Sequence, residues 1–410
     1  MKHTAKILIA IMFTFVFMSS AFSSAPENYN ILITKQGDSI VITNCNNFTV
    51  TNLTLKAADK ETIINSIPAK SSWKTGDNPG RKYADFVPAG YYQGKANTNP
   101  GYDGHCAVVP DEPHDWTKTI TTEIDGVKIS LAFKTLGPRI LFVGNSQTYF
   151  WSSAPYFFRE LSQMGGYNAQ VAYSLYGGST LPMIAGMTTM DGKDSQPVDT
   201  FQLAKNANEY YDIISYHALT DEPIRSDGKG YLTMFNDFMD AAKILAIQTK
   251  ARGARMVFMS TWGYRYGYIA DSINLPDNDG PVGTEYEFDG VKLTKTMTRT
   301  QMELALRTNY RIAADSVGAG IIPVGEASEY VSAHFPELVM YYKDCKHPTN
   351  LHDYLTACVY YAAVFGDSPV GLGIPPVFDP NNPDAGVITE EAAAIMQKVA
   401  AMVVLGTPAP

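Results

Sequence analysis

Apolar positions follow one period before Leu136-Gly137-Pro138 and another after it. From about Tyr29 to Thr135 the pattern is short and alternating, with many turn residues. Residues 39–43 and 48–51 read as strands. Residues 120–124 and 127–133 flank Asp125-Gly126, a two-residue hairpin signal. Between them, residues 74–115 are rich in Gly, Pro, Asn and Asp and read as loops. The pattern predicts a small all-β sandwich domain over 28–136. Beyond Pro138 the period lengthens. Ile140-Leu141-Phe142-Val143 is an apolar run suited to a strand covered on both faces. Ala154, Phe157, Phe158, Leu161 and Met164 then recur at helical spacing, and Gly165-Gly166 supplies a stop. Further strands are predicted at 169–175, 212–216, 256–260 and 321–324. Helices are predicted at 232–245, 306–317, 349–365 and 390–404. Such alternation predicts an α/β domain over 138–410, a parallel sheet with helices on both faces.

Residues 263–294 break that alternation and read as an insertion over the sheet's carboxyl edge, where loops shape binding sites. Within it, Pro276-Asp277-Asn278-Asp279-Gly280 is either a plain turn or a calcium loop. It lacks the later ligands of an EF-hand.

Length and composition narrow the class. The chain has 410 residues with 45% hydrophobic and 18% charged content, enough for two cores and unlike a disordered chain. A net charge of −9 and the lack of a basic run argue against a nucleic-acid partner. No cofactor is implied: Gly318-Ala319-Gly320 precedes a strand, whereas a dinucleotide fingerprint follows one. No His/Cys group has metal-ligand spacing. Lys2, His3 and Lys6 precede an apolar run over 7–18, and small residues continue to Ala25. This is the pattern of a secretory signal peptide over 1–25, and the run is short for a membrane span. The expectation is an exported, periplasmic or extracellular protein with no stable membrane insertion after cleavage. Four cysteines remain: Cys45, Cys106, Cys345 and Cys358. They form either the pairs Cys45–Cys106 and Cys345–Cys358 or free buried thiols.

Candidate chemistry gathers at strand ends. Ser146, in Gly144-Asn145-Ser146-Gln147-Thr148, stands where open α/β sheets bind ligands. It is a nucleophile or an ordinary helix N-cap. A serine nucleophile needs a base, usually a histidine with an acceptor on its other nitrogen. Of seven histidines, His347 lies just before an apolar helix with Asp344 three residues earlier. That Asp-x-x-His turn is either a base with its orienting carboxylate or a plain loop.

Taken together these pieces resemble the SGNH (GDSL-like) hydrolase superfamily. Gly144-Asn145-Ser146 resembles its first block, with Asn in place of the more usual Asp. Asp344-Cys345-Lys346-His347 matches its last block, and Gly178, with Gly177 beside it, its second. The resemblance covers about 138–404 and not the β-rich N-terminal region. It implies a three-layer α/β/α, flavodoxin-like hydrolase domain. Ser146 is then the nucleophile, His347 the base and Asp344 its orienter, with the Ser146 and Gly178 N–H groups as oxyanion donors. The third block departs. Where the family carries Asn or Gln, this chain has His217, which by position takes that place as a third donor. Tyr149, Trp151, Trp262 and Tyr342 are expected near the site, where rings stack on sugars. Trp73, Trp116, Tyr91 and Tyr92 are a second aromatic set, either a sugar surface or core. The implied function is an exported serine esterase acting on acylated, most simply O-acetylated, carbohydrate. The alternative is a non-catalytic glycan-binding protein on a degenerate hydrolase scaffold.

Overall fold

The computed structural model describes residues 30–46, 49–80, 90–92, 117–134, 137–150, 153–167, 169–175, 177–187, 211–225, 235–269, 279–288, 291–377 and 386–410. The leader at 1–25, Cys106, Trp116, Trp151 and 276–278 lie outside them, as do the side chains of Tyr91 and Tyr92.

The N-terminal strands are β1 (Ile31–Gln36), β2 (Ser39–Asn44), β3 (Val50–Ala57), β4 (Lys60–Ile67), β5 (Ser71–Lys74), β6 (Gly90–Tyr92), β7 (Thr117–Ile124) and β8 (Val127–Lys134). Seven of them form two antiparallel sheets, β1-β2-β5 and β4-β3-β8-β7. Period-2 patterning explains why: Leu53 and Leu55 on β3 and Ile129, Leu131 and Phe133 on β8 are all buried. Asp125 and Gly126 both take positive φ, as a type I′ turn requires. Trp73 is 5% exposed and its indole N–H donates to the Asn78 carbonyl, so it is core and not a sugar platform.

The eighth strand departs from the expected boundary. β6 pairs in parallel with β10 (Gln170–Leu175), Tyr92 opposite Leu175, and becomes the edge of the second sheet. That placement covers an edge of unpaired backbone groups that β10 would otherwise present. The N-terminal region therefore shares hydrogen bonds with the α/β region.

The large sheet has the order β15-β12-β11-β9-β10-β6. Its members are β9 (Arg139–Gly144), β10, β11 (Ile213–Tyr216), β12 (Arg255–Met259) and β15 (Gly320–Ile322), all parallel. All six residues of β9 are buried, and alternate ones serve opposite faces. Ile140 and Phe142 join the core made with α1 (Ala154–Met164), α5 (Val324–His334), α6 (Asn350–Phe365) and α7 (Glu390–Leu405). Leu141 and Val143 join the core made with α2 (Leu181–Ile184), α3 (Phe235–Ala251) and α4 (Arg299–Val317). This is a three-layer α/β/α fold. Leaving β6 aside, the strand sequence is 2-1-3-4-5, so the topological switch lies between β9 and β11.

Val324 opens α5 and does not close a strand as its apolar run suggested. Within the insertion, β13 (Glu285–Phe288) and β14 (Val291–Thr294) form a hairpin. Of the two arrangements open for the cysteines, Cys345 and Cys358 take that of buried thiols with no bridge between them, and Cys45 is likewise a thiol.

Candidate active site

The turn after β9 is built by Asn145. Its backbone is extended, and its Oδ1 accepts the Gln147 N–H at 3.1 Å, capping a 3-10 turn over Ser146–Thr148. Asn145 therefore does the capping, and Ser146 stands at the first turn position with its side chain free for other work. The Asn145 amide reaches further, donating to the Ser179 carbonyl at 2.9 Å and the Ala218 carbonyl at 3.2 Å. One side chain thus ties the ends of β9, β10 and β11 together.

Ser146 Oγ lies 2.8 Å from His347 Nε2, and His347 Nδ1 lies 2.5 Å from Asp344 Oδ2. The second contact follows from the local geometry of the 341–348 loop, whereas the first brings that loop to a turn 201 residues away. The loop is pinched by a bridge between Tyr341 and Pro348 and by the Tyr342 N–H donating to the His347 carbonyl. Cys345 turns the chain at φ 59°, a left-handed conformation uncommon for a non-glycine residue. The other Asp344 oxygen accepts the N–H groups of Lys346 and His347, so the carboxylate is oriented by its own turn.

The electrostatics set the proton positions. Burial tends to raise the Asp344 carboxyl, but the His347 ring and the two N–H groups outweigh it and hold it below its usual range. His347 is lowered below 6.5, chiefly by burial and helped by the Lys346 charge, against the opposing pull of Asp344. At neutral pH the imidazole is therefore uncharged. Its proton is on Nδ1, facing the carboxylate, and its Nε2 lone pair faces the serine hydroxyl.

Phe150 covers the His347 ring. Its ring is stacked on the His347 imidazole at 3.8 Å between centroids and 6° between planes, and Tyr342 meets Phe150 edge-on at 5.3 Å. The same stretch carries Ser146 and, four residues on, the ring stacked on His347.

Gly178 takes φ 75° in the turn after β10, and a Cβ there would meet nothing within 4 Å. The turn is anchored by the next residue: Ser179 Oγ donates to the Gly144 carbonyl at 2.9 Å. Glu222, wholly buried, accepts the N–H groups of Leu181 and Leu219 and so links the loops after β10 and β11.

His217 is not a third oxyanion donor. Its ring is 2% exposed and lies under Gly144, where a Cβ would stand 1.9 Å from Nε2. Nε2 accepts the Asn145 N–H at 3.2 Å, so the ring's proton is on Nδ1, directed at the Ala218 carbonyl. Burial lowers its pKa to about 4 and keeps it neutral. With its single N–H spent on Ala218, the imidazole has none to offer a substrate.

The expected aromatic platform also changes. Trp262 is fully buried, donates its indole N–H to the Lys346 carbonyl and packs on His352, so it supports the Asp344–His347 turn from below. Tyr149 is 4% exposed within the core, and Tyr342 is 8% exposed, its ring committed to Phe150. Burial at this level leaves little ring face for a sugar. Asn145 and Glu222 were not picked out as site residues from sequence. The only signal for Asn145 was its replacement of the commoner Asp.

No family model matches the chain, and no curated protein matches it. Among solved structures it is similar to a candidate SGNH hydrolase from Slackia heliotrinireducens at 23% identity and a TM-score of 0.38, over 55% of this chain and 97% of that one. It is also similar to a DUF4886 family protein from Bacteroides uniformis (15%, TM-score 0.44, 67% and 97%). A third is an acetylxylan esterase from Geobacillus stearothermophilus (13%, TM-score 0.35, 55% and 91%). These likenesses are distant, and the chemistry of the site follows from its own distances. The sheet order agrees with the three-layer, flavodoxin-like α/β domain that the resemblance implies.

Proposed function

We propose that this protein is a serine esterase that transfers an acyl group from an alcohol to water. The observation that carries the reading is the continuous chain Ser146 Oγ–His347 Nε2, His347 Nδ1–Asp344 Oδ2 at 2.8 and 2.5 Å. Ser146 Oγ attacks the ester carbonyl carbon while its proton passes to His347 Nε2. Negative charge on the carbonyl oxygen is met by the N–H groups of Ser146 and Gly178. The tetrahedral adduct collapses, the carbon–alkoxy bond breaks, and Nε2 returns the proton to the departing alcohol. Water, deprotonated by His347, then attacks the acyl-serine, and the proton returns to Ser146. Asp344 keeps the tautomer that makes Nε2 the acceptor throughout. With two donors at the oxyanion, the rate falls about 10²–10³ short of a site holding one more.

The narrower reading is an O-acetyl ester of a carbohydrate met outside the cytoplasm. It agrees with the apolar leader and with the name of the Geobacillus esterase. The test uses 4-nitrophenyl acetate and a panel of acetylated xylo-, gluco- and manno-oligosaccharides. Acetate release lost in Ser146→Ala supports the reading. The rival, a glycan-binding protein on the same fold, is favoured by the lone pair His217 turns toward Asn145 where a donor is expected. Glycan binding with no turnover on any member of the panel would decide for the rival.

A further inference from the structure

A cavity of about 290 Å³ opens between the segment after β12, the start of α4 and the stretch leading into the catalytic turn. It is lined by Arg265, Tyr266, Arg299, Leu338, Val339 and Tyr341, among others, and shares no lining residue with Ser146, Asp344 or His347. We infer that it binds a small ring bearing one carboxylate, such as a uronic acid unit.

Charge comes first. The lining holds two guanidinium groups and no acid. Arg299 is compensated, its Nε and Nη2 donating to Glu329 at 2.7 and 3.4 Å. Arg265 is exposed, and no carboxylate pairs with it among the described residues; its guanidinium lies 5.2 Å from the centre of the Tyr266 ring. One uncompensated planar cation therefore stands at the cavity, held over an aromatic face. A guanidinium in that position offers parallel N–H donors that match a carboxylate. Leu338 and Val339, the latter 59% exposed, add apolar lining. A binding site for a small molecule pairs such lining with a few fixed polar groups, and the volume stands at the small end of such sites. A single six-membered ring with its carboxylate suits that combination; a bare ion leaves the apolar lining unused.

The cavity also bears on the catalytic turn. The Arg265 N–H donates to the Cys345 carbonyl at 3.0 Å, and the Tyr341 hydroxyl donates to the Gly263 carbonyl at 2.8 Å. Residues that line the cavity are thus hydrogen-bonded to, or part of, the loop that carries Asp344 and His347.

The test reads binding directly, so failure of the esterase reading leaves it standing. D-glucuronate, D-glucose, benzoate and inorganic phosphate are titrated into the full chain by calorimetry. Saturable binding of glucuronate or benzoate, absent for glucose and weakened about 10-fold or more in Arg265→Ala, supports the site; the two acids separate a sugar ring from an aromatic one. Melting temperature and circular dichroism check that Arg265→Ala is folded. Phosphate binding as tight as either acid, or carboxylate binding untouched by Arg265→Ala, overturns the inference, as does no binding by any of the four.

Discussion

Two histidines meet the Ser146 turn, and the structure uses them in opposite ways. His347 comes from a pinched loop, presents an Nε2 lone pair to a hydroxyl, and has a carboxylate on its other nitrogen. His217 comes from the end of β11, presents its Nε2 lone pair to a backbone N–H, and has only a carbonyl behind it. Both are neutral and both are held below the ordinary histidine pKa by burial. The partner makes the difference. A serine hydroxyl can give up its proton and a peptide N–H cannot, so one imidazole is poised for transfer and the other is a fixed wedge. The carboxylate sharpens this, since Asp344 stabilises the imidazolium formed when His347 takes a proton, whereas a charged His217 would stand buried without a counter-ion.

The two histidines differ most sharply under substitution. His347→Gln removes the base, and kcat for an acetyl ester should fall on the order of 10⁴–10⁶. Asp344→Asn leaves a ring that can adopt the wrong tautomer, and a loss of roughly 10⁴ is expected. In the wild type, log kcat/KM should rise with pH and level off through an apparent pKa below 6.5, because the reactive form is the neutral ring. A steady-state pH profile checks this; a profile that instead falls across that range would remove His347 from the role of base.

His217 should answer in stability. Its folded pKa of about 4 is depressed from 6.5, so between those values the unfolded chain binds the extra proton. Stability is therefore retained above about 6.5 and lost as pH falls toward about 4, by up to ~3 kcal/mol from this residue. His217→Asn should flatten that part of the curve of melting temperature against pH. If His217→Asn instead lowers kcat at pH 8 by more than about 10² while melting as the wild type does, the wedge assignment is wrong.

Much of this contrast was hidden in the sequence, for identifiable reasons. Period alone revealed β9, β10, β11 and β12, because strands buried on both faces read as apolar runs. Asp344 and His347 were legible because their contact is local, three residues apart on one turn. His217 was placed correctly at a strand end, yet its role turned on which atom Asn145 directs at it, a contact across 72 residues. Trp262 failed for a related reason: aromatic residues near a site in sequence serve equally as its floor, and burial decides. β6 was illegible because three residues inside a Gly- and Asn-rich stretch carry no period of their own; the open edge of β10 selects them.

The smallest effect expected concerns Phe150, which also separates the two rings. His347 is stacked on an aromatic face at 3.8 Å; His217 has no such neighbour among the described residues. A π face favours the imidazolium over the imidazole, by about 0.5–1 kcal/mol at partly exposed sites. It therefore stabilises His347 only after the proton has moved, which is when stabilisation speeds the reaction. Phe150→Leu keeps an apolar side chain over the ring and removes the π face. The apparent pKa of the base should then drop by about half a unit, since each unit corresponds to ~1.4 kcal/mol. Because ring orientation is also loosened, kcat should fall by roughly 10-fold with KM little changed, and Phe150→Tyr should restore both. An equal loss in Phe150→Leu and Phe150→Tyr, with the pH profile unmoved, would reduce Phe150 to packing and leave the hydrogen-bond partners, Ser146 and Asp344 against Asn145 and Ala218, to distinguish the two histidines.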